Sequence, residues 1–497
     1  MGHTTATNQQ AVEPYSEVHE THTGLVVLVG ELAYKVKKPI RTDFLDFSTP
    51  ERRERACQRE LELNRRLASA SYLGVAHLSA DWAGTSEPVL VMKRHPDSSR
   101  LATMVRHGQP VTESLMAIAQ VLARFHEGAE RGRSVAAQGT VAAVKARWEA
   151  NFVEMQQFVD TVVDRQRLEA AERLAAQFIA GRGLLFAGRV HDGRIVDGHG
   201  DLLADDIFCR PTGPEIMDCL EFDDNLRYVD TIDDAAFLAM DLEFLGRKDL
   251  GEFFLDQYSR LGADASPQSL RHFYVAYRAL VRAKVDCVRF AQGHSDAAAD
   301  ALRHLDIALE HLHACSIRLA MVGGGPGTGK TTLAHALAER VGAAVISTDD
   351  VRRAMQNSGD IGGEAGALNA GLYSDENVAA VYGEVLRQAQ IELANGRSVI
   401  LDGTWRDPHR RGEARQLAIQ TQSAEVELKC ETSVNSAARR VAARPTGGLS
   451  DATPEIATAL ANSQHWPEAH HVDTSQPLSD SVCAAEELWR LAVEGAE

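Results

Sequence analysis

Long apolar runs are missing from these 497 residues: none approaches the roughly 20 consecutive residues that span a bilayer, so a membrane-embedded chain is not expected. The opening MGHTTATNQQ has no basic segment followed by an apolar one, which argues against a secretory leader. It also fails the myristoylation pattern, because Ala6 stands where Ser or Thr is required. Cysteine is sparse. The seven, at 57, 209, 219, 287, 315, 430 and 483, are odd in number and form no CxxC pair. That argues against a disulfide framework and a structural zinc site, and it leaves reduced thiols in a cytoplasmic protein. Positive charge is short as well. A net charge of -18 argues against broad nucleic-acid binding, which needs a basic face. The acidic balance suits a cationic small substrate, although a solvated acidic surface is the plainer explanation. There is no internal repeat, heptad series or low-complexity tract.

What remains is a composition of 44% hydrophobic and 25% charged residues, that of a soluble globular chain, at a length sufficient for about three domain-sized units. GLVVLVGELAYKVKK reads as two strands, 24–29 and 32–38, joined by a Gly-Glu turn. Residues 50–68 read as a charged helix and 88–94 as another strand. From 110 to 190 the pattern is helical and rich in Ala and Leu. Short strands flank HGD at 199–201, and helices resume from 231 to 313. Beyond a boundary near residue 314, strand and helix alternate, which implies a parallel sheet covered on both faces.

That last segment opens with GGGPGTGKTT. Gly324, Gly325, Pro326, Gly327, Thr328, Gly329, Lys330 and Thr331 fit G-x-x-x-x-G-K-[ST] in full, with Thr332 following, between an expected strand at 317–322 and a helix at 331–340. Glycines let successive N–H groups curl toward phosphate oxygens beside a helix N-terminus. Lys330 is expected on the β- and γ-phosphates and the Thr331 hydroxyl on Mg²⁺. Strand AAVIS leads to Asp349, placed to orient or deprotonate an acceptor hydroxyl, and to Arg352, placed to grip substrate. SVILDGTW ends a buried strand at Asp402, in Walker-B fashion. Arg440 and Arg444 fall one helical turn apart, as a closing lid would need. Arg406, with Arg410 and Arg411, offers an anionic substrate a basic patch, a surface role being as probable.

The HGD segment poses the second question. Asp201 is placed to accept or orient an acceptor hydroxyl's proton, and Asp218, 17 residues on at the end of a short strand, to hold Mg²⁺. Asp206 occupies the place where such loops usually carry a metal-binding Asn. Aspartate is also a hard oxygen donor, so the change adds charge without removing a ligand. Alternation in LAYKVKK puts Ala33, Lys35 and Lys37 on one face. Lys35 is the better candidate for the α- and β-phosphates, with Lys37 second. On the helix, Ala56, Glu60, Leu63 and Leu67 share a face, which selects Glu60 as the lysine's partner and leaves Glu62, Arg65 and Arg66 on the polar side. ETHTG, at 20–24, is the loop that would cover the phosphates.

Residues 20–310 thus resemble the aminoglycoside-phosphotransferase-like kinase superfamily, on Lys35, Glu60, HGD and Asp218. Residues 316–497 resemble the gluconate/shikimate-kinase and zeta-toxin-like group of P-loop kinases. The order of the two resembles a bacterial group that fuses such domains. The resemblance implies an α+β protein-kinase-like two-lobed fold followed by an α/β P-loop NTPase fold. The N-lobe would occupy 1–100, the helical C-lobe 101–313 and the P-loop kinase 314–497. It also implies that Asp234 buttresses the catalytic loop, and that the cofactors are ATP, with GTP as the alternative, and Mg²⁺. Small-molecule acceptors are the expected partners, with neither nucleic acid nor membrane. The leading expectation is two sites, each passing the γ-phosphoryl of ATP to a hydroxyl of a sugar or amino sugar. The alternatives are one live P-loop kinase with a regulatory first half, a nucleotide-sensing stress protein, and a toxin-like kinase acting on nucleotide-sugars.

Overall fold

Two apolar runs meet at the Gly30-Glu31 turn, where Gly30 takes the left-handed φ of +57° that a tight hairpin needs. The computed structural model describes residues 15–20, 23–41, 46–79, 86–364, 370–443 and 465–494. Its first sheet comprises β1 (Ser16–Glu20), β2 (Gly24–Val29), β3 (Leu32–Lys37), β4 (Tyr72–Ser79) and β5 (Ser86–Lys93), antiparallel in the order β1-β2-β3-β5-β4. The helix Pro50–Ala68 is capped by Thr49, whose side chain accepts from the Arg52 N–H, with Pro50 at its first position. Its inner face buries Glu60 and Leu63 and leaves Glu62 exposed, as periodicity predicts. Ala33, Leu61, Ala68, Tyr72, Leu90 and Met92 form the core between helix and sheet.

The HGD segment follows β6 (Ile195–Asp197) and precedes a hairpin of β7 (Ile207–Arg210) and β8 (Gly213–Ile216). A last strand, β9 (Tyr228–Asp230), pairs with β6 and feeds the helix Thr231–Phe244, capped by Asp230. That helix is buried on nearly all sides, so Asp233 and Asp234 in its first turn lie inside the protein.

In the other half, β10 (Arg318–Gly323), β11 (Ala344–Ser347), β12 (Val399–Asp402), β13 (Ala424–Glu431) and β14 (His470–Asp473) form a parallel sheet in the order β11-β12-β10-β13-β14. Apolar clusters cover both faces, one containing Val381, Val385 and Trp405, the other Leu333, Leu337 and Trp489. Every residue of β10 is buried, as a central parallel strand requires.

The compact units do not follow the boundaries expected at 100/101 and 313/314. One unit joins 1–139 with 190–266, and the other joins 140–189 with 267–497. Arg100 bridges to Phe208 within the first unit. In the second, the helix Ala297–Cys315 ends two residues before β10 and leaves no linker. The Ser269 hydroxyl also donates to the Gly396 carbonyl, 2.6 Å away. Helices that read as part of the HGD domain therefore belong to the same compact unit as the P-loop sheet.

Candidate phosphate sites

In the first unit, Lys35 Nζ lies 2.8 Å from Glu60 Oε1 and 2.9 Å from Asp218 Oδ1. Lys37, the second candidate, does not point elsewhere: it meets the other oxygen of Glu60 and reaches Glu221 at 2.6 Å. Both lysines converge on one fully buried carboxylate. Burial alone would lower the Lys35 amine, but Asp218, Glu60 and Glu221 outweigh it and hold the amine well above its ordinary value. The Lys35 charge in turn pulls the Asp218 carboxyl below its usual range. Asp218 sits at a left-handed φ of +60°, a sparsely populated conformation for a non-glycine residue and one that gathers at functional sites.

The HGD loop is pinned from beneath. Asp234 Oδ2 accepts from the His199 backbone N–H at 2.7 Å, and Oδ1 accepts from that of Gly200 at 2.8 Å. His126 Nε2 lies 2.9 Å from the same carboxylate. These contacts hold Asp234 charged, far below the ordinary carboxylate range. Gly200 has a φ of +86°, so the turn that presents Asp201 needs a glycine. Asp241 accepts from the Ala204 N–H at 2.8 Å and fixes the stretch before Asp206. Burial and the charges of Asp218, Asp201 and Asp205 push the Asp206 carboxyl well above its ordinary value. Among the described residues no group of three or more His, Cys, Asp or Glu side chains closes to metal-ligand spacing. The Asp206 and Asp218 pair nevertheless suits Mg²⁺, which takes one or two carboxylates with substrate phosphates and would relieve this repulsion.

In the second unit, β10 ends at Gly323 and the helix Lys330–Val341 begins at the P-loop lysine. Gly327 has a φ of +79°, and a Cβ there would lie 2.3 Å from the Ala437 carbonyl oxygen, so side chains are excluded twice. The Thr331 hydroxyl donates to Asp402 Oδ2 at 2.7 Å, which joins the expected Mg²⁺ ligands. Asp402 is buried, and its Oδ1 makes no hydrogen bond among the described residues, although the Ser347 hydroxyl is near enough to favour the ionised form. Burial raises this carboxyl, against the opposing pull of Lys330 and Thr331. A buried acceptor left open beside a bonded threonine fits a Mg²⁺ site.

Asp349 and Arg352 lie one turn apart on the helix Thr348–Ser358 and pair with each other at 2.7 Å, with the Arg352 guanidinium over the Tyr373 ring. Arg440, on the helix Val434–Ala442, donates to the Thr474 carbonyl at 2.9 Å and lies beside Gly329. Arg444 and two residues of the expected phosphate-covering loop, Thr21 and His22, lie outside the described residues. Of the three arginines of the basic patch, only Arg406 is exposed. Arg410 pairs with Glu413, while Arg411 is buried and donates to the Trp405 carbonyl, which makes it a structural residue.

Several side chains that matter here carried no sequence signal. Arg66, assigned to a polar face, donates to the Asp197 and Gly198 carbonyls and so ties the helix to the HGD loop. Arg227, fully buried, holds Asp197 and the Leu220 carbonyl. Asn64 accepts from the Cys219 N–H next to Asp218. None belongs to a spaced motif. Only a buried-face reading of Asn64 would have found it.

A family model described as an AAA domain matches residues 319–464. An uncharacterized protein of Mycobacterium tuberculosis and another of Mycobacterium bovis are each 57% identical to this chain over 97% of both lengths. A choline/ethanolamine kinase family protein from Mesorhizobium loti is 12% identical, with a TM-score of 0.35, over 60% of this chain and 93% of that one. A sugar kinase from Janibacter is 18% identical over 36% of this chain and 97% of that one, with a TM-score of 0.29. A gluconokinase from Sinorhizobium meliloti is 21% identical over 35% and 93%, with a TM-score of 0.27.

Proposed function

The chain belongs to the family of these mycobacterial proteins and is a kinase-type phosphotransferase, and we propose that it works with two nucleotide sites. Each would pass the γ-phosphoryl of ATP to a hydroxyl of a small molecule of the sugar or amino-sugar kind. The observation that carries this reading is that both sites are assembled: Lys35 sits between Glu60 and Asp218, and Thr331 is bonded to Asp402. Mg²⁺, when bound, would neutralise charge on the β- and γ-phosphate oxygens.

In the first site, Glu60 aims Lys35 at the α- and β-phosphates, and Asp218 with Asp206 holds the metal. Asp201 takes the acceptor proton as the acceptor oxygen bonds to phosphorus and the bond to the ADP oxygen breaks. In the second, the backbone of 324–329 surrounds the phosphates, and Lys330 neutralises them. Thr331 and Asp402 hold the metal. Asp349 receives the acceptor hydroxyl, with Arg352 and Arg406 on the substrate side and Arg440 on the phosphates. None of the described helices is long and apolar enough to cross a membrane; a cytoplasmic setting, where ATP is at hand, suits the proposed work.

One observation favours a second reading, in which only the P-loop half turns over. Lys35 is bonded directly to Asp218, and Asp206 is pushed toward its protonated form, so the first site must open that contact and release that proton before it can hold a metal. The test is ATP and GTP consumption by wild type, Lys330→Ala and Asp201→Asn against a panel of sugars and amino sugars, with nucleotide binding measured in parallel. The two-site reading expects each variant to lose a different acceptor-stimulated activity. If Asp201→Asn keeps every activity of the wild type, the first site is not catalytic.

A further inference from the structure

The parallel sheet binds phosphates at the carboxyl ends of its strands, the usual place in such folds. At the other end, where β10 and β13 begin, a cleft of about 320 Å³ opens between the helices Arg165–Gly181, Pro408–Gln420 and Leu478–Glu494. Six residues of β10 separate it from the P-loop, a span of about 20 Å. Its floor is apolar, with Phe178, Ile317, Ala418 and Val493 all buried.

In that lining lies Arg182, a fully buried cation. Its Nη1 donates to the Gly181 carbonyl at 2.9 Å and to the Leu393 carbonyl at 2.6 Å, and its Nη2 donates to the Gln422 carbonyl at 3.3 Å. Its Nε is buried with no acceptor among the described residues. A guanidinium has five N–H donors, so Nε–H and one N–H of Nη2 are left over. These are the two nitrogens that grip an oxyanion in a side-on bidentate contact.

No carboxylate is paired with it among the described residues. The one titratable neighbour whose charge would favour the guanidinium is the Cys315 thiol, which burial pushes up to about 12 and so keeps neutral. Burial pushes Arg182 itself down to about 10, still charged at neutral pH. Glu425, also in the lining, is raised to about 8 by burial and by Glu427, so much of it stays uncharged and does not repel an anion. Among the described residues, carbonyls and the Phe178 ring alone meet this charge, and taking a cation out of water without a full negative charge beside it costs several kcal/mol.

We propose that this cleft binds a compact organic anion, whose oxyanion Arg182 grips side-on and whose apolar body lies against Phe178, Ile317, Ala418 and Val493. A carboxylate and a phosphate monoester share that chemistry, and a cavity of this volume is at the small end of ligand sites. The site is separate from both phosphate sites and does not depend on the reaction proposed above.

Isothermal titration calorimetry on the full chain tests it, with both nucleotide sites saturated by a non-hydrolysable ATP analogue and Mg²⁺. The probes are benzoate, phenyl phosphate and neutral benzyl alcohol. One anion or both should bind saturably at one site, with benzyl alcohol about tenfold or more weaker, because only the anions satisfy the guanidinium. The tighter anion names the source. Arg182→Gln should weaken binding about tenfold or more, with its fold checked by circular dichroism. Arg182 also holds three carbonyls, so Gln177→Trp is measured beside it; that change fills the cleft from the helix Arg165–Gly181 and should abolish binding. The proposal fails if neither anion binds saturably up to about 10 mM, if benzyl alcohol matches benzoate, or if Gln177→Trp leaves binding unchanged.

Discussion

The two proposed phosphate sites are built by opposite means. The P-loop is local: eight consecutive residues, three of them glycines at positive φ, make the turn between β10 and the helix Lys330–Val341. The HGD site is assembled from distance. Lys35, Glu60, Asp218 and Asp234 come from a strand, two helices and a loop; the first three are joined by charge-assisted contacts across as many as 183 residues, and Asp234 holds the HGD-loop backbone. A site made of backbone is broken by adding a side chain. A site made of charges is broken by removing one.

The largest effects should come from removing the charges nearest the phosphates and the acceptor. Lys330→Ala should cost the P-loop activity about 10³-fold or more in kcat while leaving the HGD activity intact, and Asp201→Asn should do the reverse. Acceptor-stimulated ADP release measures both. If either variant silences both activities while still binding nucleotide at the untouched site, the sites are not independent.

Next come the supports. Asp234→Ala leaves the His199 and Gly200 N–H groups without their acceptor and takes the carboxylate from buried His126. Removing one partner of such a buried set costs about 3–5 kcal/mol, to be read from urea unfolding of the first unit. Gly327→Ala should behave differently. It drives a methyl against the Ala437 carbonyl at a φ that alanine resists, so ATP affinity at the P-loop should fall by about 100-fold or more while global unfolding moves little. Equal losses of stability in the two variants would erase the contrast.

The same contrast explains what could be read in advance. The hairpin at Gly30, the choice of Glu60 over Glu62 and the whole P-loop were legible, because each depends on residues within a few positions of one another. The convergence of Lys37 on Glu60 was half legible: alternation placed it on the right face, but nothing local said that one carboxylate would hold two amines. Arg66 and Arg227 were illegible, since a helix-surface arginine that bonds a carbonyl 132 residues away looks like a solvated one. The compact units differ from the expected ranges for a related reason. Where the helix Ala297–Cys315 runs almost directly into β10, a change of pattern marks a change of element and no change of unit.

The smallest and sharpest effect concerns Asp206, where the HGD loop departs from the usual Asn. Its carboxyl is raised by burial and by Asp218, Asp201 and Asp205. Between the ordinary carboxylate value and the raised one, the folded chain keeps a proton that the unfolded chain has lost. Metal-free stability should therefore fall as pH rises through that window. Asp206→Asn cannot ionise, so it should remove that slope and be the more stable form above the window, as paired urea titrations across the acidic range would show. Activity should move the other way. Acidification protonates Asp206 and takes an anionic ligand from Mg²⁺, so the HGD activity of the wild type should fall on the acid side, with more Mg²⁺ needed for half-maximal rate. The variant should lose that acid dependence and need more Mg²⁺ wherever Asp206 of the wild type is ionised. A wild-type stability curve that stays flat across the window would mean that repulsion among these carboxylates does not set the character of the first site.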